Sequence, residues 1–199
     1  MPPEGTPLGP KEIEVLAAWI NGGLLETKSS VAKKSAKPKV DLAVAVSTGK
    51  PDGPIAKPEH VLLEPVVVTP RPTAVTAMAA SPWGPLMAIA GTKQILLYDT
   101  DSRQLAGIFP YTEGYARSLR FSRNGSLLIV GGGRGGKFGH AVVWDVKTGK
   151  RVTEVGKEFD AVMSADISAD HKLIAIGSPS KKVKVFETAS GQELYTISK

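Results

Sequence analysis

Between residues 75 and 197 apolar and polar positions alternate in short runs broken by turn residues, the pattern of half-buried β-strands. The pattern recurs. Three windows, 75–108, 117–155 and 163–197, align on a serine followed by a turn and an apolar strand. The first reads Ala-Ser-Pro-Trp-Gly-Pro-Leu-Met-Ala-Ile-Ala-Gly at 80–91, the second Phe-Ser-Arg-Asn-Gly-Ser-Leu-Leu-Ile-Val-Gly-Gly at 121–132, and the third Ile-Ser-Ala-Asp-His-Lys-Leu-Ile-Ala-Ile-Gly-Ser at 167–178. Ser81, Ser122 and Ser168 are 41 and 46 residues apart. A second strand follows in each window and ends in an aromatic residue plus an acid: Tyr98-Asp99, Trp144-Asp145 and Phe186-Glu187, 46 and 42 residues apart. A turn then leads into one more strand.

The rest of the chain carries a different pattern. Pro10 suits a first helical position and Glu12 a first turn. Ile13, Leu16 and Ile20, with Ala17 beside them and Trp19 adjoining, make one apolar stripe at helical spacing, and Asn21-Gly22-Gly23 supplies the stop. A single helix over 10–21 is expected. At that length it needs a surface to pack on. Residues 25–70 read as a disordered linker rich in Lys, Ala, Pro, Ser and Gly. A short apolar alternation at 42–46 interrupts it, and 61–68 is strand-like, with Pro65 restricting it to an edge or an irregular stretch. The expected organisation is therefore a helical remnant at 1–24, a linker at 25–70 and a repeat region at 71–199.

Composition narrows the chemistry. The 199 residues include no Cys, which excludes disulfides, thiolate metal sites and a Cys nucleophile. No apolar run reaches the roughly 18 residues of a membrane span, and no basic-then-apolar leader opens the chain. The formal charge is +6, and the excess is spread along the sequence. Its densest run, Lys33, Lys34, Lys37 and Lys39, lies in the linker and reads as solvated, so no nucleic-acid role is expected. No group of residues assembles a catalytic site, and the expectation is a protein that is not an enzyme.

Four short strands per 40–45 residues is the period of a β-propeller blade. The windows resemble the WD40 family, whose eponymous dipeptide is Trp144-Asp145; Tyr98-Asp99 and Phe186-Glu187 are looser versions. The resemblance implies an all-β fold: a partial WD40-like propeller of about three four-stranded blades, preceded by the short helix and the linker. Two family features are missing. Glu113-Gly114-Tyr115 stands where a Gly-His pair is expected, and the Asp between the middle strands is not evident. The blades are therefore expected to depend more on apolar packing. Propellers close with four to eight blades, so three leave open edges. The chain reads as a fragment of a longer protein, completed by missing blades or by self-association, with a protein partner of unknown identity; the alternative is a complete short protein that closes by assembly or by recruiting Val61–Val68 as a strand. The resemblance implies a non-catalytic interaction or scaffold module.

Met1-Pro2-Pro3, then Lys11-Glu12-Ile13 and Ala18-Trp19-Ile20-Asn21-Gly22-Gly23, resemble the end of a planctomycete-type cytochrome c domain. That resemblance implies that Met1 matches the family's axial haem ligand, that haem c belongs to a longer parent whose attachment motif lies outside this chain, and that the parent is an exported, periplasmic electron-transfer protein. No cofactor is expected in this chain itself.

Four features invite other readings. The run from Gly131 to Lys137 fits a phosphate-loop spacing, but Phe138 stands where Ser or Thr is needed and a strand follows in place of a helix. It reads as a flexible hairpin loop enlarged by a few residues. His60, His140 and His171 are single histidines in linker or loops, and Ala169-Asp170-His171-Lys172 reads as a surface turn. Asp99, Asp145 and Glu187 are expected to meet backbone amides, and Tyr98, Trp144 and Phe186 to fill cores. Arg117, Arg120 and Arg123 alternate with Leu119 and Phe121 and are expected on or near one exposed strand face or the turn that follows it, as a solvated edge rather than a stripe for an acidic partner.

Overall fold

The computed structural model describes residues 9–21, 49–70 and 73–198. The chain divides into two compact units, Met1–Ala45 and Val46–Lys199.

In the first unit, α1 (Pro10–Asn21) has the expected helix. Gly9 caps it. The Gly9 carbonyl accepts from the Glu12 and Ile13 amides, and the Glu12 carboxylate reaches back to the Gly9 amide at 2.8 Å. This is the returning half of a capping box, and it also places a negative charge at the positive end of the helix dipole. Ile13 and Leu16 of the apolar stripe are 55% and 42% exposed.

The second unit is mostly antiparallel β. Its strands are β1 (Met78–Ala80), β2 (Leu86–Asp99), β3 (Leu105–Phe121), β4 (Leu127–Arg134), β5 (Phe138–Asp145), β6 (Arg151–Glu158), β7 (Ser164–Ile167), β8 (Leu173–Gly177), β9 (Lys182–Glu187) and β10 (Glu193–Ser198). β1 to β6 form one curled sheet in chain order, and β7 to β10 form a second. β2 is not one straight run. Fourteen extended residues would span roughly 45 Å, yet the Thr100 amide donates to the Pro85 carbonyl at 2.9 Å, joining the two ends of the run. The chain doubles back at Lys93, whose φ is 55°. β3 is likewise shared. Its first half pairs with β2 (Ile95 with Phe109) and its second half with β4 (Leu119 with Val130). By pairing, the chain forms three successive up-and-down groups of four segments. In each, the alternating apolar residues of the sequence point to a core because the side-chain period of a strand is two.

Two cores result. The first gathers Ala88, Ile95, Leu97 and Phe109 against Leu128, Val130, Val142 and Trp144. The second packs Ile129, Ala141 and Val143 against Ala165, Ile174, Ile176 and Phe186. Residues on the two faces of β4 and β5 thus serve different cores, and both cores are closed by aliphatic and aromatic contact.

Two expectations are corrected here. Of the expected linker, residues 25–48 lie outside the described residues, but 49–70 are not a free tether. They form a strap across the β unit. The Ile108 amide donates to Leu62 at 2.8 Å, and the Glu59 amide to Lys147 at 2.8 Å. Gln94 is buried, accepts from the Val66 amide at 2.8 Å and donates to the Val67 carbonyl at 3.0 Å. Ala56 and Val61 pack on the first core. Leu62 makes a single bridge to Ile108, so 61–68 is irregular; Pro65 deprives it of a ladder donor.

The second correction concerns the glycine run. Gly131 to Gly133 are strand residues of β4, paired with Ala141, His140 and Gly139, and the turn is confined to the residues after Arg134. They are glycines because the backbone is approached closely. A Cβ on Gly132 would overlap the Tyr115 carbonyl and stand 2.8 Å from the Tyr111 hydroxyl.

Candidate functional site

The aromatic–acid pairs end β2, β5 and β9, and each acid organises the turn that follows. The Asp99 carboxylate accepts from the Ser102 amide at 2.9 Å and the Asp101 amide at 3.0 Å. The Asp145 carboxylate accepts from the Thr148 amide at 2.7 Å and its hydroxyl at 2.8 Å. Among the described residues the Glu187 carboxylate takes only the Ser190 hydroxyl, at 2.5 Å. In all three, the acid's own amide donates to the carbonyl five residues on, at 2.9 Å. The Ser102 amide, with help from its hydroxyl, the Asp101 amide and Lys57, holds the Asp99 carboxyl below its ordinary pKa. Two of the three serines in the alignment close the preceding turn. Ser122 bonds Asn124 and the Leu127 amide, and Ser168 bonds Asp170 and the Leu173 amide. The Ser168 hydroxyl is the main reason the Asp170 pKa is lowered. In the first window Trp83 replaces the Asn or Asp, and the buried Ser81 hydroxyl has no partner among the described residues.

The aromatics are buried to different degrees. Trp144 stacks on Phe109 with ring centres 5.2 Å apart, and the Arg151 guanidinium lies 4.9 Å from the Trp144 ring centre. Phe186 is buried in the second core. Tyr98 is half-buried and borders a shallow hollow with Met87 and Ile89.

The opposite ends of these strands carry a different chemistry. Thr92, Tyr115, Gly133 and Gly139 form one row across the sheet. The turn at Lys93 and the β4–β5 turn project beside that row. Two hollows lie there and share Thr92 and Tyr115. One, of about 330 Å³, includes Thr73, Thr76 and Arg117; the other, of about 340 Å³, includes Lys93, Arg134 and Phe138. Tyr115, 53% exposed, lies between them. Among the described residues no carboxylate lines either hollow. Glu113, next to Gly114, is engaged by Arg151 through both oxygens.

Of the three arginines, two lie on β3 and the third in the turn after it; Arg120 and Arg123 border one hollow with Trp83. Arg117 is the extra residue of a β-bulge between Ala116 and Ser118, which re-aims its side chain. Arg120 pairs with Asp166 at 3.4 Å. Arg123 lies beyond the end of β3, where its carbonyl accepts from the Trp83 indole at 2.8 Å. The sequence singled out Arg117 but not Lys93, Tyr115 or Arg134 as members of one site. Their only signal was position, since Lys93 and Arg134 flank hairpin turns.

The Gly131–Lys137 run is followed by β5 in place of a helix. His60 lies in the strap, His140 pairs with Glu154 at 2.9 Å and His171 occupies a turn with φ 60°. Among the described residues no group of three or more His, Cys, Asp or Glu side chains gathers as a metal site. Met1 and the Lys33–Lys39 run lie outside the described residues. Among the described residues no helix is long and apolar enough to cross a membrane. Comparison with family models and with curated proteins gives no match.

Proposed function

We propose that this chain is a non-catalytic interaction module built on a partial WD40-like propeller of three blades, each blade one of the groups of four strand segments. The observation that carries this reading is the turn built three times alike. An aromatic residue ends the third segment, an acid follows it, and a hydroxyl three residues on is bound by that acid: Asp99 with Ser102, Asp145 with Thr148, Glu187 with Ser190. A unit repeated in this way holds its loops at fixed spacing on a rigid frame, and such frames act through what their loops hold.

An experimental structure of the full chain tests the reading. Three four-stranded sheets arranged radially about one axis are expected; two sheets stacked as a closed sandwich would reject it. Size-exclusion chromatography with light scattering gives a second test. Terminal repeats without neighbours leave apolar faces open, so the isolated chain is expected to self-associate or melt at low temperature. A monodisperse monomer melting cooperatively at high temperature would contradict an incomplete ring.

A further inference from the structure

We infer that the hairpin-turn end of the β unit, centred on Tyr115 and flanked by Lys93, Arg117 and Arg134, is a docking surface for an acidic peptide segment of a partner protein. The inference rests on the interaction-module reading and supplies the chemistry of the partner.

Three cations without ion pairs among the described residues gather around one exposed ring at the hairpin-turn end, whereas several lysines of the acid-turn end are paired. At the acid-turn end, Lys57 pairs with Asp99, Lys147 with Glu59 and Lys172 with Asp170, at 3.5, 3.5 and 3.7 Å. At the hairpin-turn end, Lys93, Arg117 and Arg134 form no ion pair among the described residues. All three line the hollows that meet at Tyr115; of the acids nearby, Glu113 is taken by Arg151, and Asp160, beside the β4–β5 turn, accepts from the Gly136 and Ala161 amides. Cations left without internal partners around a concave surface create a field that attracts anions. Two of the three are held by unusual backbone: Lys93 has a positive φ of 55°, and Arg117 sits in a bulge. Each departs from regular strand geometry at a residue that lines one of the two hollows.

The shape favours a peptide. Each hollow has room for one or two side chains, and guanidinium groups grip carboxylates through paired hydrogen bonds. Tyr115 offers one exposed ring between the hollows. A single-stranded nucleic acid needs successive stacking rings along a longer cationic groove.

The probe is a fluorescein-labelled decaglutamate peptide, with decaglutamine as the neutral control, read by anisotropy with the full-length chain. Binding of the acidic peptide alone is expected, weakening as salt rises from about 0.05 to 0.3 M. The double substitution Arg117→Glu, Arg134→Glu is expected to weaken binding about tenfold or more, and Arg103→Glu, at the acid-turn end, to leave it within about twofold. Should the double variant not fold, Lys93→Gly serves. It relieves a positive φ, so the melting temperature is expected to rise while binding falls about threefold. Absence of binding by the folded chain, or equal loss in Arg103→Glu, overturns the inference. So does tighter binding of labelled oligothymidine with the same residue dependence. A folded chain with radial sheets that ignores decaglutamate rejects this surface alone; a chain without radial sheets rejects the module reading, whatever the peptide does.

Discussion

The two cores of the β unit are made from the same alternating strands, yet they are finished differently. In the first, Phe109 stacks on Trp144, Arg151 lies over the Trp144 ring, and the strap at 49–70 runs along the edge of β3. In the second, Phe186, Ile174 and Ile176 are buried against β4 to β6, but every residue of β10, the edge strand, is exposed. Local sequence therefore makes each strand, while the neighbour on either side decides how firmly it is held. An edge strand without cover presents unpaired backbone groups; β3 has Leu62 to pair with and β10 has no counterpart among the described residues.

The largest expected effect tests this contrast at glycines. Gly132→Ala puts a methyl group into the Tyr115 carbonyl, and a loss of about 3 kcal/mol is expected in urea unfolding. Gly177→Ala, in the second sheet, meets nothing within 4 Å and is expected to stay within about 0.5 kcal/mol of the parent. Equal losses would mean that the two sheets are packed alike.

Next in size is the strap. Gln94→Ala removes the side chain that bonds Val66 and Val67, and a loss of about 2 kcal/mol is expected. Thermolysin, which cuts before bulky apolar residues, should then cleave before Leu62 or Leu63 well before it attacks β4 or β5. Unchanged cleavage would show that Gln94 does not hold the strap.

A smaller effect comes from the third acid turn. Glu187 reaches only a hydroxyl, whereas Asp99 and Asp145 also accept from backbone amides. Glu187→Asp shortens the arm by one methylene and is expected to stabilise by about 1 kcal/mol through the regained amide bond. A melting temperature at or below that of the parent would count against it.

The smallest effects at neutral pH appear when pH is changed. Burial raises the Tyr111 pKa in the first core. The hydrogen bond to Glu158, at 2.7 Å, raises that of Lys184, which joins β9 to β6 at the second. For a raised folded pKa, the stabilisation is complete below the unfolded value and is lost as pH rises through the folded one. Melting temperature is therefore expected to fall from about pH 10 upward. Tyr111→Phe should flatten part of that fall; an unchanged slope would remove Tyr111 as a cause. In acid the sign reverses. Asp99 and Asp170 have lowered values, so their contribution holds above the unfolded pKa and fades as pH drops through the folded one.

Much of the β unit was legible because alternation is a strong signal wherever one face is buried. The serine turns and aromatic–acid pairs marked segment ends, and the helix at 10–21 carried its own start and stop. What escaped notice escaped for physical reasons. The strap's Lys and Pro content hid the few residues, Ala56 and Val61 among them, that reach the core. Glycine disfavours strands, so Gly131–Gly133 read as loop; only the approach of β3 makes strand glycines necessary there. A bulge inserts a residue without altering composition, so the separate aim of Arg117 was invisible. The meeting of Lys93, Tyr115 and Arg134 depends on strand register, which brings Thr92, Tyr115 and Gly133 into one row.

The strap also sets an order of events during synthesis. Residues 49–70 leave the ribosome before Gln94, Ile108 and Lys147, the groups they close upon. The strand groups are local and can form as they emerge, since contacts close in sequence form fast. Leu62 can close on Ile108 and Val66 on Gln94 once those residues are out, whereas Glu59 must wait for Lys147. The strap is therefore fastened in steps, and its Glu59 end closes only after all the residues between it and Lys147 have been made.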